Sequence, residues 1–171
     1  QISPDGTEIA FCYKGDIYKV SAGGGTAIQL TTQPSYECTP IWSPDSKQIA
    51  FASDRNGNFD IFVMPATGGT AQRLTTHSSS ELPSAFTPDG KYIAVADCGL
   101  DYIYLYDAKT YQKVFEWKAP EDSGPRQLRF SPDGKYLYMV SELSCQIFVF
   151  EYQPDCKDML RNVQVISTRR E

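Results

Sequence analysis

Apolar and polar residues alternate along this chain with a period of two, in bursts of five to seven residues separated by polar or glycine-rich breaks. Residues 8–13, 47–52, 91–96 and 135–140 each read as a half-buried strand, because successive side chains of a strand point to opposite faces. After each comes a second run, at residues 16–20, 60–64, 102–107 and 146–152, and then a third, at 27–31, 71–75, 112–118 and 161–167. A β-rich run ending in Trp42, Phe86 or Phe130 precedes the later groups, whereas only Gln1 and Ile2 stand before the turn of the first. No apolar pattern of period 3.6 extends far enough to predict a helix.

The breaks repeat as well. Ser3-Pro4-Asp5-Gly6, Ser43-Pro44-Asp45-Ser46, Thr87-Pro88-Asp89-Gly90 and Ser131-Pro132-Asp133-Gly134 recur at spacings of 40, 44 and 44 residues. Pro fixes φ, Asp bonds back to nearby backbone and Gly accepts positive φ, so each copy is a tight turn between antiparallel strands. Gly23-Gly24-Gly25 and Gly68-Gly69, with polar linkers at 33–35 and 77–80, fall where loops belong. Four short strands in about 42 residues is the size of a propeller blade. The expected fold class is therefore all-β: a β-propeller of four blades of four antiparallel strands, the first blade lacking most of its innermost strand. Residues 1–171 form one propeller segment, with blades at approximately 1–35, 36–80, 81–123 and 124–171. One blade cannot bury both sheet faces, so blades stack on one another. Either the chain is part of a longer propeller or two chains complete one ring.

Charge and composition narrow the chemistry. A net charge of -5 with 16 scattered basic residues excludes nucleic acid as a partner, because phosphate binding needs clustered Lys and Arg. No apolar run approaches the roughly 18 residues of a membrane span. The chain opens at Gln1 without an initiator Met, so removal of a leader or upstream region leaves no trace; a periplasmic or secreted location is expected, with the cytoplasm as the alternative. Cys12, Cys38, Cys98, Cys145 and Cys156 are odd in number and lack a C-x-x-C pair. They read as small buried strand residues, with a disulfide framework as the alternative. No cofactor and no metal site is expected: the repeated Asp residues are turn formers, and the stretch from Asp54 to Asn58 lacks the later Glu of a calcium loop. The glycine run at 23–25 opens no helix that could hold a phosphate. His77 reads as a surface-loop residue, and no G-x-S-x-G elbow surrounds a serine.

Residues 1–90 carry Trp42 to Phe51, Ser53-Asp54-Arg55-Asn56-Gly57, Asp60-Ile61-Phe62, Gly68-Gly69 and Arg73-Leu74-Thr75; the first blade repeats Asp16-Ile17-Tyr18 and Gln29-Leu30-Thr31. This half resembles the TolB and tricorn-type propeller family of WD40-like (PD40) repeats. That resemblance implies a binding or gating module, often periplasmic, without catalytic residues of its own. Residues 91–171 carry Gly124-Pro125-Arg126, Phe130 to Tyr136, Ser141-Glu142-Leu143-Ser144 and Val163 to Ser167. This half is similar to the lactonase family of seven-bladed propellers, which includes 6-phosphogluconolactonase. The resemblance implies that Arg126 and Glu142 lie in an active-site pocket. Gln127 and Leu82 stand where that family carries His.

Spacing supports the same pair, since a hairpin turning near Asp133 and Gly134 sets residue 126 approximately opposite residue 142. A guanidinium beside a carboxylate suits an anionic substrate and lactone opening; an ordinary cross-strand ion pair is the other reading. The leading expectation is a binding and assembly module without its own catalysis, self-associating through blade edges or bound to another protein. The alternatives are a lactonase-like hydrolase using Arg126 and Glu142, with a small sugar acid as ligand, and a substrate-gating propeller of a tricorn or peptidase-like protein.

Overall fold

A computed structural model describes residues 1–76 and 81–169. His77 and the linker at 77–80 lie outside the described residues. Among the described residues every regular element is a strand. β1 (Glu8–Tyr13), β2 (Asp16–Ser21) and β3 (Ile28–Gln29) make a three-stranded sheet in that order. β4 (Glu37–Trp42), β5 (Gln48–Ser53), β6 (Asp60–Pro65) and β7 (Gln72–Arg73) make the second sheet, again in chain order. β8 (Leu82–Phe86), β9 (Tyr92–Asp97), β10 (Tyr102–Asp107) and β11 (Lys113–Lys118) make the third. β12 (Pro125–Phe130), β13 (Tyr136–Ser141), β14 (Gln146–Tyr152) and β15 (Leu160–Ser167) make the fourth. The chain divides into two compact units, Gln1–Phe86 and Thr87–Glu171.

The repeated turn sets these sheets by one local chemistry. Ser3, Ser43, Thr87 and Ser131 each donate a hydroxyl to the Asp two residues on, at 2.6 Å. Each hydroxyl also accepts the N–H of the residue five positions on, at 2.9 to 3.0 Å. The Asp then takes the N–H two residues further, at 3.0 to 3.2 Å. Where Ser46 replaces the turn Gly it adopts the same left-handed conformation, with φ of 59°.

The innermost strand of the first sheet survives as a remnant. Ile2 forms an isolated bridge with Ile9, and Gln1 O accepts the Ala10 N–H at 2.9 Å. The four segments are thus propeller blades, the first without most of its innermost strand.

The outer strands differ from expectation in the first two blades, where β3 and β7 are two residues long although five alternate in sequence. A side chain ends the ladder. Leu30 N still donates to Ile17 O, but Ile17 N turns to Thr31 Oγ1 at 2.9 Å. Leu74, Ile61 and Thr75 repeat this, with Ile61 N to Thr75 Oγ1 at 2.9 Å. Each Thr hydroxyl takes the place of the next backbone acceptor.

Each unit has its own core. In the first, Ala10 and Ile17 of the first sheet pack with Trp42, Ile49, Phe51, Phe62 and Met64 of the second. In the second, Ala94, Ile103 and Leu105 pack with Leu128, Leu137, Met139, Phe148 and Phe150, and Trp117 meets Phe150 edge-on at 4.7 Å. Small residues on one sheet receive large ones from its neighbour. Blade-to-blade backbone bonds recur too: Glu37 N donates to Gly15 O at 2.7 Å and Glu81 N to Phe59 O at 2.8 Å.

Candidate functional site

The Arg126 and Glu142 pair is built by a bulge and a hydrogen-bonded turn. Pro125 pairs with Ser141 and Gln127 with Val140, so Arg126 is the extra residue of β12 and is re-aimed by the bulge. Glu142 follows β13, and its N–H donates to Gly124 O at 2.8 Å. Gly124, not Arg126, therefore stands opposite Glu142 along the backbone. The side chains nevertheless meet, with Arg126 Nε 3.4 Å from Glu142 Oε2.

What fixes Glu142 is the carbonyl of Ser123. It accepts the Leu143 N–H at 3.1 Å, the Ser144 N–H at 3.2 Å and the Ser141 hydroxyl. Asp101 fixes the facing loop, its carboxylate taking the Gly124 N–H at 2.8 Å and the Asp122 N–H at 3.1 Å. Gly124 is required on two counts. Its φ is +63°, and a Cβ there would come within 2.7 Å of Leu143 Cγ and 3.3 Å of Cys98 Sγ.

Cys98 is the neighbour that spacing did not bring to this end. Burial pushes its thiol above the usual range, the Glu142 charge adds to that, and Arg126 opposes it. A raised thiol holds little nucleophilic thiolate near neutrality. Arg126 and Glu142 themselves are 57% and 53% exposed in their side chains. At that exposure the attraction is worth about 0–1 kcal/mol. Chemically the pair offers an open cation for an anionic group with a carboxylate beside it.

A second constellation, more deeply set, occupies the second blade. Glu37 is fully buried and pairs with Arg55 Nη2, while Arg55 Nε donates to Ser53 Oγ at 2.9 Å. The guanidinium lies over the Phe62 ring, 4.2 Å from its centre. Asp60, also buried, takes Arg73 Nη2 at 2.7 Å. Arg55 reaches a cleft of about 330 Å³ between the first two blades, lined with Thr31, Thr32, Gln33 and Thr70. Arg55 belongs to the sequence motif of the first half, but its partner Glu37, on the neighbouring strand, carried no motif of its own.

The five cysteines are unpaired. Cys12 and Cys38 sit in strands as expected but are half-buried and not buried, whereas Cys98, Cys145 and Cys156 lie in turns, with Cys156 exposed.

Four like sheets with one repeated turn, and cores formed where their faces meet, define a β-propeller. The chain belongs to the family of the tricorn protease N-terminal beta propeller domain, which matches residues 1–102. It is 32% identical to 6-phosphogluconolactonase of Bacillus subtilis over 73 residues, 42% of this chain and 21% of that one. In structure it resembles the periplasmic gluconolactonase of Pseudomonas aeruginosa, with a TM-score of 0.75 and 22% identity, over 99% of this chain and 56% of the other. It likewise resembles a structure described as TolB from Agrobacterium tumefaciens, with a TM-score of 0.72 and 21% identity, over 96% and 60%. The chain thus spans less than two thirds of each of these proteins. Among the described residues no helix is long and apolar enough to cross a membrane.

Proposed function

We propose that this chain is a β-propeller binding and assembly module without its own catalysis, completed by a second copy or by further blades of a longer parent chain. One observation carries this reading: the fourth sheet keeps an apolar face uncovered, and the first keeps one half-buried. In the fourth sheet Leu137 and Met139 are buried, yet Tyr136, Tyr138 and Val140, alternating with them along β13, are exposed. In the first sheet Ile9, Phe11 and Tyr13 share a face with Val20, Tyr18 and Asp16, and Tyr13 is exposed. Contiguous apolar surface of this kind marks an interaction site. A periplasmic location is proposed with it, supported by the gluconolactonase neighbour. Size-exclusion chromatography with light scattering tests the assembly: association above the monomer is expected, and a monodisperse monomer at every concentration counts against it.

A second reading is favoured by the Arg126 and Glu142 separation of 3.4 Å. In it Arg126 holds the anionic group of a sugar lactone and Glu142 serves as acid or base in ring opening. Hydrolysis of sugar lactones is measured before and after Glu142→Gln. A fall of at least about 100-fold is expected on this reading, and activity unchanged by the substitution removes the pair from any mechanism.

A further inference from the structure

The outermost strands of the four sheets are not equally protected. β3 and β7 are two residues long, and short edges offer little to pair with. β11 is longer but carries Lys113, Glu116 and Lys118, the charges that keep an edge apart. β15 runs eight residues, and everything from Arg161 to Ser167 is exposed. Arg161 is engaged by Glu151. From Asn162 to Thr168 the strand has no charge and no Pro, and Val163, Val165 and Ile166 are 44%, 45% and 42% exposed.

The phase of its free backbone groups follows from one bond. Thr168 N–H donates to Cys145 O at 2.9 Å, so Thr168 faces β14. Backbone direction alternates along an antiparallel strand. Ile166 therefore also faces β14, while Val165 and Ser167 direct N–H and C=O away from the sheet.

We propose that β15 is a docking edge for a second copy of this chain, joined by antiparallel β15 to β15 pairing. With Val165 of one copy opposite Ser167 of the other, the two-fold axis makes both pairs equivalent, and each exchanges its two backbone bonds. The absence of charge between Asn162 and Thr168 means that nothing on the edge repels its own copy. An edge alone covers less than the roughly 1,000 Å² of a stable interface, so the dimer is weak, with Kd on the order of 100 µM. Val163 and Ile166 line one shallow cleft with Tyr136 and Tyr138, so the edge adjoins the uncovered face of the fourth sheet, but the backbone bonds proposed here use the edge alone.

Sedimentation velocity of the chain from micromolar to near-millimolar concentration tests it. Val165→Pro removes an outward N–H while leaving the bonds to β14 in place, and association weakens at least about tenfold with the fold retained by circular dichroism. Val165→Lys, which keeps the N–H but sets like charges across the axis, also weakens it, more at low salt than at high. If Val165→Pro disturbs the fold, Val165→Lys decides. A wild-type monomer throughout, or association indifferent to both substitutions while Tyr138→Lys abolishes it, overturns the proposal.

Discussion

At the residue scale, buried and local charges do different work. The Ser3 hydroxyl, followed by the Thr7 N–H, pulls the Asp5 carboxyl down from 3.8 to about 2. Ser43 and Ser131 depress Asp45 and Asp133 in the same way. A carboxyl depressed in the folded state contributes stability above its unfolded value, and that contribution is lost as pH falls through the folded value. The first turn should accordingly loosen between pH 3.8 and about 2, read from the Asp5 carboxyl chemical shift; a midpoint at the ordinary value contradicts the turn chemistry. Arg55 answers to burial instead. Arg55→Met leaves the Glu37 carboxylate buried without its cation and should cost about 3–5 kcal/mol. Adding Glu37→Gln should restore part of it in calorimetric melting, and a double variant no more stable than the single one argues against the pairing. The turns were readable in sequence because the hydrogen bonds repeated in all four copies lie within five residues. Glu37 and Arg55 are 18 apart, and only strand register brings them together.

At the element scale, strand position was legible from alternation, but strand length was not. β1 and β14 start and end where alternation places them, whereas β7 stops after Arg73 because Thr75 Oγ1 takes the Ile61 N–H. Alternation cannot reveal that a side chain has replaced a backbone acceptor. Thr75→Val keeps the shape and removes the acceptor, leaving a buried N–H unpaired. It should cost about 1–3 kcal/mol, with faster amide exchange at Ile61; an unchanged Ile61 amide would assign the ladder's end to something else. The bulge at Arg126 escaped for the same reason. Hairpin counting from Asp133 and Gly134 assumes an unbroken ladder, and one extra residue moved Gly124 opposite Glu142.

At the scale of the whole molecule, the repeated turn together with the alternating runs of each repeat sufficed to predict a propeller, since four copies of one local unit require stacking to bury their faces. The ligand was not legible, because Arg126 and Glu142 are open to solvent on a chain that spans 56% of its gluconolactonase neighbour. What is written into both sequence and structure is the alternation along β13, where buried Leu137 and Met139 interleave with exposed Tyr136, Tyr138 and Val140. A face of that composition is complementary to another blade and costly to leave in water. The most direct measurement is sedimentation velocity of the wild-type chain beside Tyr138→Lys. The wild type should associate through this face at concentrations well below the roughly 100 µM of the edge pairing, and the lysine, stranded at its centre, should remove that tighter association while leaving the weak edge pairing and the melting temperature nearly unchanged. Equal sedimentation of the two proteins at every concentration would contradict the account.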